Sequence, residues 1–312
     1  MPSFFVMDIR QLSTFLAVVD HGGFTSASKA LLTVQSNVSA HVSRLEAELG
    51  ATLIDRATGD PTPEGEVVAE HTRRILLEME ALRHDVHSVR SAISGTARIG
   101  LIGTTARWLV PPLIDTMAAR HPLVRVEVHD ATTATLRVQL RSAAIDLAVL
   151  STPVDDPEIS SVPLFVEDRI LATPRTHPLA GRSSITLADL DGVPLIVEPA
   201  NHPFRLQLEQ LFAERGWTMA VKAEIDGTRL MASLAFEGYG PTILPASAVS
   251  NRPDLDWSIT AIEGVPGRAV GLASRRQGLL SAATRALRDV VRAVVAEQAI
   301  HQPGVHPASE SQ

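Results

Sequence analysis

The residues best suited to chemistry in this chain form a short cluster of small or amide-bearing side chains on one side of a predicted helix. Glutamine can form two hydrogen bonds with adenine, and serine can both donate and accept, so such a face could enter the major groove of DNA. An ordinary amphipathic helix with a solvated polar face would account for the same pattern. The cluster consists of Gln35, Ser36, Ser39, Ala40 and Ser43.

Two short helices joined by a tight turn must hold this cluster in place. Apolar residues spaced three or four apart predict both helices. Thr33, in the polar turn between them, is the expected N-cap of the second helix, because its hydroxyl can accept a hydrogen bond from a backbone N–H of the first turn. The apolar positions are Ala27, Ala30 and Leu31 in the first helix, and Val38, Val42, Leu45 and Leu49 in the second.

The stretch from Phe24 to Arg56 resembles the N-terminal winged helix-turn-helix of LysR-type transcriptional regulators. The family pattern is an aromatic residue and Thr before an Ala-rich helix, then Gln-Ser and Val-Ser, then Leu-Glu-x-x-Leu-Gly and a final Arg. The matching positions here are Phe24, Thr25, Ala27, Leu31, Gln35, Ser36, Val38, Ser39, Leu45, Glu46, Leu49, Gly50, Leu53 and Arg56.

This resemblance implies which side chains bind DNA. Arg56 would reach the minor groove, and the alternative for it is a salt bridge to Asp55 or Asp60. Residues 51–65 contain the expected wing, which is shorter than the family pattern and lacks its usual basic residues. The implied DNA-binding residues are Thr25, Gln35, Ser36, Asn37, Ser39, Ala40, Ser43 and Arg56.

Composition bounds the function more loosely. The chain has 312 residues, of which 45% are hydrophobic and 20% charged, and this favours a globular protein of more than one domain. No apolar run approaches the ~20 residues that cross a bilayer, and no signal peptide is evident, so a cytoplasmic location is expected. The absence of cysteine excludes disulfides, thiolate metal sites and cysteine nucleophiles.

The charge balance argues against strong DNA binding by one copy. The net charge of the chain is −7. Its first 60 residues carry four basic and six acidic side chains, a net charge of −2. Because phosphate contacts supply most of the non-specific affinity, we expect the DNA-binding domain to bind weakly as a monomer and to gain from self-association as a dimer or tetramer.

The resemblance extends over nearly the whole chain and implies its domain organisation. The expected fold class is α/β: a winged helix-turn-helix at 7–65, a long linker and dimerisation helix at 66–94, and a two-lobed, periplasmic-binding-protein-like effector domain at 95–300. Alternating strands and helices support the last part. Lobe 1 would span about 95–165 and 268–300, and lobe 2 about 166–267. The polar, proline-bearing tail at 301–312 is expected to be disordered.

A ligand would bind where the strands of these lobes end, because open α/β sheets bind ligands beyond the carboxyl ends of their strands. In the resembled family these loops face an interlobe cleft for a small-molecule effector, which here could be anionic. The candidate effector-binding residues are Thr104, Thr105, Ser151, Asn201, His202, Phe204, Gly227, Thr228 and Pro245.

Several of these candidates have plainer explanations. Thr104 and Thr105 could only cap their helix, and Phe204, like Trp108, could simply pack in a core. His202 fits an ordinary loop histidine. Two neighbouring cations, Arg205 and Arg229, could meet an anionic effector or form surface ion pairs.

Three classes of function compete. The first is a DNA-binding regulator whose promoter activity is switched by a small effector. An enzyme is not expected, because the chain has no Gly-x-Ser-x-Gly elbow, P-loop or HExxH motif. His84 and His87 share a helix face but have no further ligand in view, so neither a metal nor another cofactor is expected. The remaining alternative is a solute-binding protein with a degenerate DNA-binding head.

Overall fold

The computed structural model describes residues 7–88, 92–249 and 257–308. The chain divides into two compact units. The first comprises Met1–Gly95 with Arg141–Ala144, and the second comprises Thr96–Leu140 and Ile145–Gln312.

The first unit is built on helices that share one apolar core. Its α-helices are α1 (Ile9–Asp20), α2 (Phe24–Ala30), α3 (Gln35–Leu49) and α4 (Pro63–Ser88). A capping box starts α1: the Asp8 carboxylate accepts a hydrogen bond from Gln11 N at 2.7 Å, and the Gln11 side chain accepts one from Asp8 N at 3.1 Å. The core side chains include Phe15, Ala27, Val38, Val42, Leu45, Leu53 and Ile54. The expected linker helix is thus described as far as Ser88, and residues 89–91 lie outside the described part.

The start of α3 differs from the sequence-based expectation. Val34, not Thr33, is the N-cap, and no side chain caps the helix. The Thr33 hydroxyl instead accepts a hydrogen bond from the Asn37 side chain at 3.2 Å. Leu32, in the turn before α3, adopts a positive φ of 51°, and its side chain is 95% exposed. The prediction of Thr33 as the cap is therefore wrong.

The wing follows α3 as a short hairpin. An antiparallel bridge joins Ile54 to Pro61, and Asp55 N donates to Asp60 O at 2.9 Å. The Glu46 carboxylate on α3 accepts hydrogen bonds from Leu53 N at 2.9 Å and from Ile54 N at 3.3 Å. Because Glu46 binds the backbone at the base of the hairpin, α3 and the wing have a fixed relationship.

The second unit consists of two lobes, each built on a six-stranded sheet. The sheet of lobe 1 has the order β12-β4-β11-β3-β1-β2. Strands β1 and β3 are parallel, whereas β11 runs antiparallel to β3 and β4. The strands of this sheet are β1 (Ser94–Leu101), β2 (Leu123–Asp130), β3 (Leu147–Ser151), β4 (Ile159–Glu167), β11 (Arg268–Arg275) and β12 (Val305–Pro307).

The sheet of lobe 2 has the order β6-β10-β5-β9-β7-β8. Strand β7 is parallel to β8 and β9, and β5 is antiparallel to β9 and β10. Two apolar clusters cover its faces, one containing Phe204 and Leu208 and the other containing Met231 and Ala235. The strands are β5 (Arg169–Pro174), β6 (Ser184–Thr186), β7 (Leu195–Val197), β8 (Val221–Glu224), β9 (Thr242–Pro245) and β10 (Trp257–Glu263).

Helices connect these strands in the alternation expected from the sequence. Lobe 1 carries α5, α6 and α9, and lobe 2 carries α7 and α8. Their bounds are α5 (Gly103–Arg120), α6 (Thr133–Arg141), α7 (Pro203–Ala213), α8 (Thr228–Phe236) and α9 (Ala282–Gln298). None of the helices in the described part of the chain is both long and apolar enough to cross a membrane.

The C-terminal segment differs from the disordered tail expected at 301–312. Val305–Pro307 form β12, which pairs antiparallel with β4, placing Val305 opposite Glu167. Asp168 N also donates to Gly304 O at 2.8 Å. Because Glu167 and Asp168 link β4 of lobe 1 to β5 of lobe 2, the end of the chain binds directly at a crossing between the lobes. Residues 309–312 lie outside the described part.

Candidate DNA-reading surface and effector cleft

The two sides of α3 differ as the sequence predicts. Val38, Val42 and Leu45 are fully buried in the core of the first unit. The residues predicted to read DNA lie towards solvent: Thr25, Gln35, Ser36, Asn37, Ala40 and Ser43 are exposed, and Ser39 is half-buried. The polar cluster is therefore available on the surface, although its contact with DNA remains a prediction.

Arg56 from the wing lies on the polar face of α3. It donates to Glu46 Oε2 at 2.7 Å and to Ser43 Oγ at 3.3 Å, and its guanidinium stands 4.6 Å from the centre of the Phe24 ring. A longer contact of 3.5 Å reaches Ser39 Oγ. Arg56 thus forms its ion pair with Glu46 and not with Asp55 or Asp60, the two partners that the sequence analysis considered. Glu46 consequently positions both the wing backbone and its only arginine.

The structure places Thr104 and Thr105 in the first turn of α5, where neither caps the helix. The N-cap is Ile102, without a side-chain hydrogen bond. Thr104 Oγ1 accepts a hydrogen bond from Arg268 at 2.6 Å. Thr105 is fully buried, and its hydroxyl has no partner among the described residues.

Three other candidates follow β7. Asn201 and His202 are exposed, and His202 is the N-cap of α7 with its Nδ1 2.9 Å from Glu198 Oε2. Phe204 is buried in the core of lobe 2, and the guanidinium of Arg169 covers its ring at 3.6 Å. Phe204 therefore packs in the core, and its contact with an effector stays a prediction. Asn201 makes no hydrogen bond with the other candidates among the described residues.

The remaining candidates lie at the ends of strands or at the start of a helix. Ser151 ends β3, and its N–H donates to Thr133 Oγ1 at 3.3 Å. Gly227, with a φ of 147°, is the N-cap of α8, and Thr228 is its first residue. Pro245 ends β9 directly opposite Arg169. The structure thus brings Pro245 and Phe204 together around Arg169, a residue that the sequence analysis missed.

A buried charged network joins the lobes beside Thr104. Glu167 is fully buried and accepts hydrogen bonds from Arg268 Nε at 2.8 Å and from Ser247 N at 3.0 Å. Arg107 of α5 donates to the carbonyls of Ser247 at 2.7 Å and Val249 at 2.6 Å. The sequence signal for this network was the group of three charged residues, Glu167, Asp168 and Arg169, within the otherwise apolar run LFVEDRILATP, because buried charges require partners.

Arg169 is the most perturbed cation of this region. Burial and, to a smaller extent, the positive charge of Arg268 lower its pKa, whereas Glu198 and Glu167 raise it, and the net result is a pKa of about 10. The side chain therefore remains protonated at neutral pH. Its Nε has no hydrogen-bond partner among the described residues.

An exposed ion pair spans the lobes at the start of α5. Arg229 of α8 pairs with Asp130 at the end of β2. Gly103 makes room for the pair, because a Cβ there would lie 2.8 Å from Asp130 Oδ1 and 2.9 Å from Arg229 Nε. Both cations singled out as possible effector contacts are thus in ion pairs, since Arg205 also binds Glu209 at 2.8 Å.

Replacing Arg229 by Gln is expected to loosen the contact between α8 and lobe 1 with little effect on global stability. The pair is exposed, so its loss should cost about 1 kcal/mol or less. Hydrogen–deuterium exchange in the first turn of α8 should rise by up to about fivefold, the factor that corresponds to that energy. Arg182→Gln, which removes an exposed ion pair within lobe 2, is the matched control. Equal exchange in the two variants would contradict a bridging role for Arg229.

A helix-turn-helix with an exposed polar helix, followed by a two-lobed α/β domain, defines a class of protein: the DNA-binding regulators that carry an effector domain. Residues 9–66 match the model of the bacterial regulatory helix-turn-helix protein, lysR family. Residues 90–296 match that of the LysR substrate binding domain. The chain belongs to the LysR family of transcriptional regulators, and it is not an enzyme.

Individual relatives agree with this assignment. A probable hydrogen peroxide-inducible genes activator of Mycobacterium leprae is 31% identical over 301 residues, which cover 93% of this chain and 95% of the relative. Full-length OxyR of Pseudomonas aeruginosa, solved as a cysteine variant, has a similar fold with a TM-score of 0.75, 22% identity and coverage of 98% and 99%. CbnR in complex with its target DNA gives a TM-score of 0.67 at 24% identity, with 92% and 100% covered.

Proposed function

We propose that α3 reads an operator through Gln35, Ser36, Ser39 and Ser43, and that a small effector in the interlobe cleft switches promoter activity. The observation that carries the proposal is the exposed polar face of α3, which Arg56 overlies while the apolar face is buried. The neighbour CbnR is described as bound to its target DNA, which supports the same use of this fold. Thr25, Asn37 and Ala40 are also exposed and would complete the contact surface.

We propose that the chain works as a dimer or a tetramer. Ile75, Met79, Leu82 and Val86 leave an apolar stripe exposed on α4. Their spacing of four, three and four residues fits a coiled-coil seam, which could hold two copies of α3 at a defined distance. Since the first 60 residues carry a net charge of −2, joining two heads would also supply phosphate contacts that one head lacks.

We further propose a non-covalent effector that requires no cofactor, acting in the cytoplasm. The relative from Mycobacterium leprae is described as an activator of peroxide-inducible genes. The present chain contains no cysteine, so oxidation of a thiol to a sulfenic acid or a disulfide is excluded as its signal. A ligand bound between the lobes could instead act by binding one lobe arrangement more tightly than another.

Selection from a pool of random DNA duplexes tests the DNA-reading part directly. The purified full-length chain should enrich a pseudo-palindromic site whose half-sites lie about one helical turn apart or a multiple of it, as expected for two symmetric reading heads. The same selection with a Gln35→Ala and Ser39→Ala double variant is the control. Enrichment of the same site by both proteins would contradict the assignment of α3 as the reading helix.

A further inference from the structure

The turn between α2 and α3 exposes three apolar side chains within four residues, which we call the turn patch. Leu31 is 41% exposed, Leu32 95% and Val34 60%. A single exposed apolar residue is common on a protein surface, whereas a cluster of them is typical of a surface that is covered on binding. The turn patch therefore requires an explanation that lies outside the core of the first unit.

Leu32 is held in a backbone conformation that leucine disfavours. Its φ is 51°, and Ala143 is the only other non-glycine residue with a positive φ in the described part of the chain. In this region the Cβ crowds the following carbonyl oxygen, a clash that glycine avoids. The turn is fixed by hydrogen bonds from Leu32 N to Lys29 O at 3.2 Å and from Thr33 N to Ser28 O at 2.9 Å. Leucine here costs stability, and its exposed side chain gives no burial in return.

Val34 shows the same conflict at the start of α3. It is the N-cap of this helix and makes no side-chain hydrogen bond to the first turn. Serine, threonine, asparagine and aspartate stabilise a helix at this position, and valine does not. Two residues of the turn patch thus reduce local stability, and departures of this kind are expected where a residue serves binding.

The charges around the turn patch favour DNA as its partner. Residues 21–45 contain no acidic residue and two basic ones, Lys29 and Arg44, so this segment carries a net charge of +2 although the first 60 residues together carry −2. Both basic side chains are exposed and form no ion pair among the described residues. The turn patch also ends directly before Gln35, at the end of the recognition helix that approaches base edges in this class of motif.

We propose that Leu32 of the turn patch contacts the C5-methyl group of a thymine in each half-site, and so adds one base pair to the sequence that the protein reads. The proposal rests on the reading of DNA by α3 proposed above. The thymine methyl is the apolar group that base edges present in the major groove, and apolar side chains recognise it. This contact selects a T·A pair through burial of a methyl group, which the polar face of α3 does not provide.

Replacement of thymidine by deoxyuridine tests the contact, because it removes the methyl group and keeps the hydrogen-bonding groups of the base. Each thymine of the selected duplex is replaced in turn, in both half-sites, and the duplexes are titrated with full-length protein. At one position the wild type should bind about fourfold more weakly per half-site, as expected for one buried methyl group. Leu32→Gly should bind the thymine duplex more weakly than the wild type and should lose nothing further with uracil at that position.

Two further variants make this result specific. Leu32→Met keeps an apolar side chain and should retain the dependence on the thymine methyl. Leu279→Gly removes a leucine of the second unit that is 83% exposed, and it should match the wild type on every duplex.

Hydrogen–deuterium exchange of α1, α2 and α3 distinguishes DNA contact from a structural role of Leu32. In Leu32→Gly the core amides of these helices should exchange as slowly as in the wild type, or up to about fivefold more slowly, because glycine adopts the positive φ without a clash. The proposal thus expects weaker DNA binding from a protein whose reading head is no less stable.

Three results would overturn the contact. One is faster exchange in Leu32→Gly, which assigns the leucine a structural role. Another is a Leu32→Gly variant with the same affinity and the same dependence on uracil as the wild type. The third is a changed oligomeric state of Leu32→Gly in sedimentation velocity, which places the turn patch between copies of the chain.

Failure of the proposed function would look different. It fails if the wild type selects no site, or if the Gln35→Ala and Ser39→Ala double variant binds the selected site as the wild type does. A selected site whose binding requires α3 but is indifferent to Leu32 refutes this inference alone.

Discussion

Replacing Glu167 by Gln is expected to destabilise the second unit by about 3–5 kcal/mol, the range for breaking one partner out of a buried ion pair. The carboxylate is fully buried and binds Arg268, whose side chain is itself largely buried. Its charge also favours the protonated form of Arg169. Without it, Arg268 would lose its carboxylate partner, and Arg169 would keep only the favourable charge of Glu198. Urea unfolding followed by tryptophan fluorescence measures the effect, because Trp108, Trp217 and Trp257 all lie in this unit.

Two companion variants make this result specific. Glu263→Gln removes an exposed carboxylate that accepts a hydrogen bond from Ser184, and it should change stability by about 0.5 kcal/mol or less, as surface substitutions usually do. Adding Arg268→Met to Glu167→Gln removes the stranded charge, so the double variant should recover part of the loss. A loss below about 1 kcal/mol for Glu167→Gln would show that the network contributes little to holding the lobes together.

Replacing Gly65 by Ala is expected to destabilise the first unit by on the order of 3 kcal/mol, the upper end of typical overpacking costs. A Cβ on Gly65 would lie 2.0 Å from the backbone oxygen of Leu53 and 3.3 Å from the Pro61 side chain. Leu53 cannot move freely, because its carbonyl accepts a hydrogen bond from Thr62 and its N–H binds Glu46. The start of α4 and the base of the wing must therefore separate.

Hydrogen–deuterium exchange of α1, α2 and α3 in the full-length chain measures this change, since the tryptophans report only on the other unit. The exchange of core amides in these helices should accelerate by roughly two orders of magnitude, which corresponds to ~3 kcal/mol. Glu64→Ala, at the exposed neighbouring position, is the control. Unchanged exchange in Gly65→Ala would mean that the contact between α4 and the wing is not required for this fold.

Some features of this fold could be predicted because their causes are local. The apolar spacing of Val38, Val42 and Leu45 fixes both the helical form of α3 and the face that it buries. The alternation of strands and helices likewise predicts the two α/β lobes. The N-cap of α3 was predicted at the wrong residue. The turn before this helix contains Leu32 at a positive φ, a conformation that is uncommon for leucine and that the sequence does not predict.

Other features depend on contacts between distant parts of the chain. Strand β12 forms because the edge of β4 is available for pairing. The polar composition of the tail therefore did not predict its structure. Arg56 binds Glu46, and not Asp55, its neighbour in the sequence, because the hairpin folds back on α3. The charges of Glu167 and Arg169 are visible in the sequence, yet their burial and their partners follow only from the meeting of two lobes.

The central claim is that α3 reads DNA, and an equilibrium titration of labelled duplex carrying the selected site tests it most directly. The full-length wild type is compared with Gln35→Ala/Ser39→Ala and with Gln207→Ala, an exposed glutamine of α7, as the matched control. Loss of a bidentate base contact corresponds to about 1–3 kcal/mol. The double variant should therefore bind about 5- to 150-fold more weakly, and the control should match the wild type. Equal affinity of all three folded proteins would contradict the account.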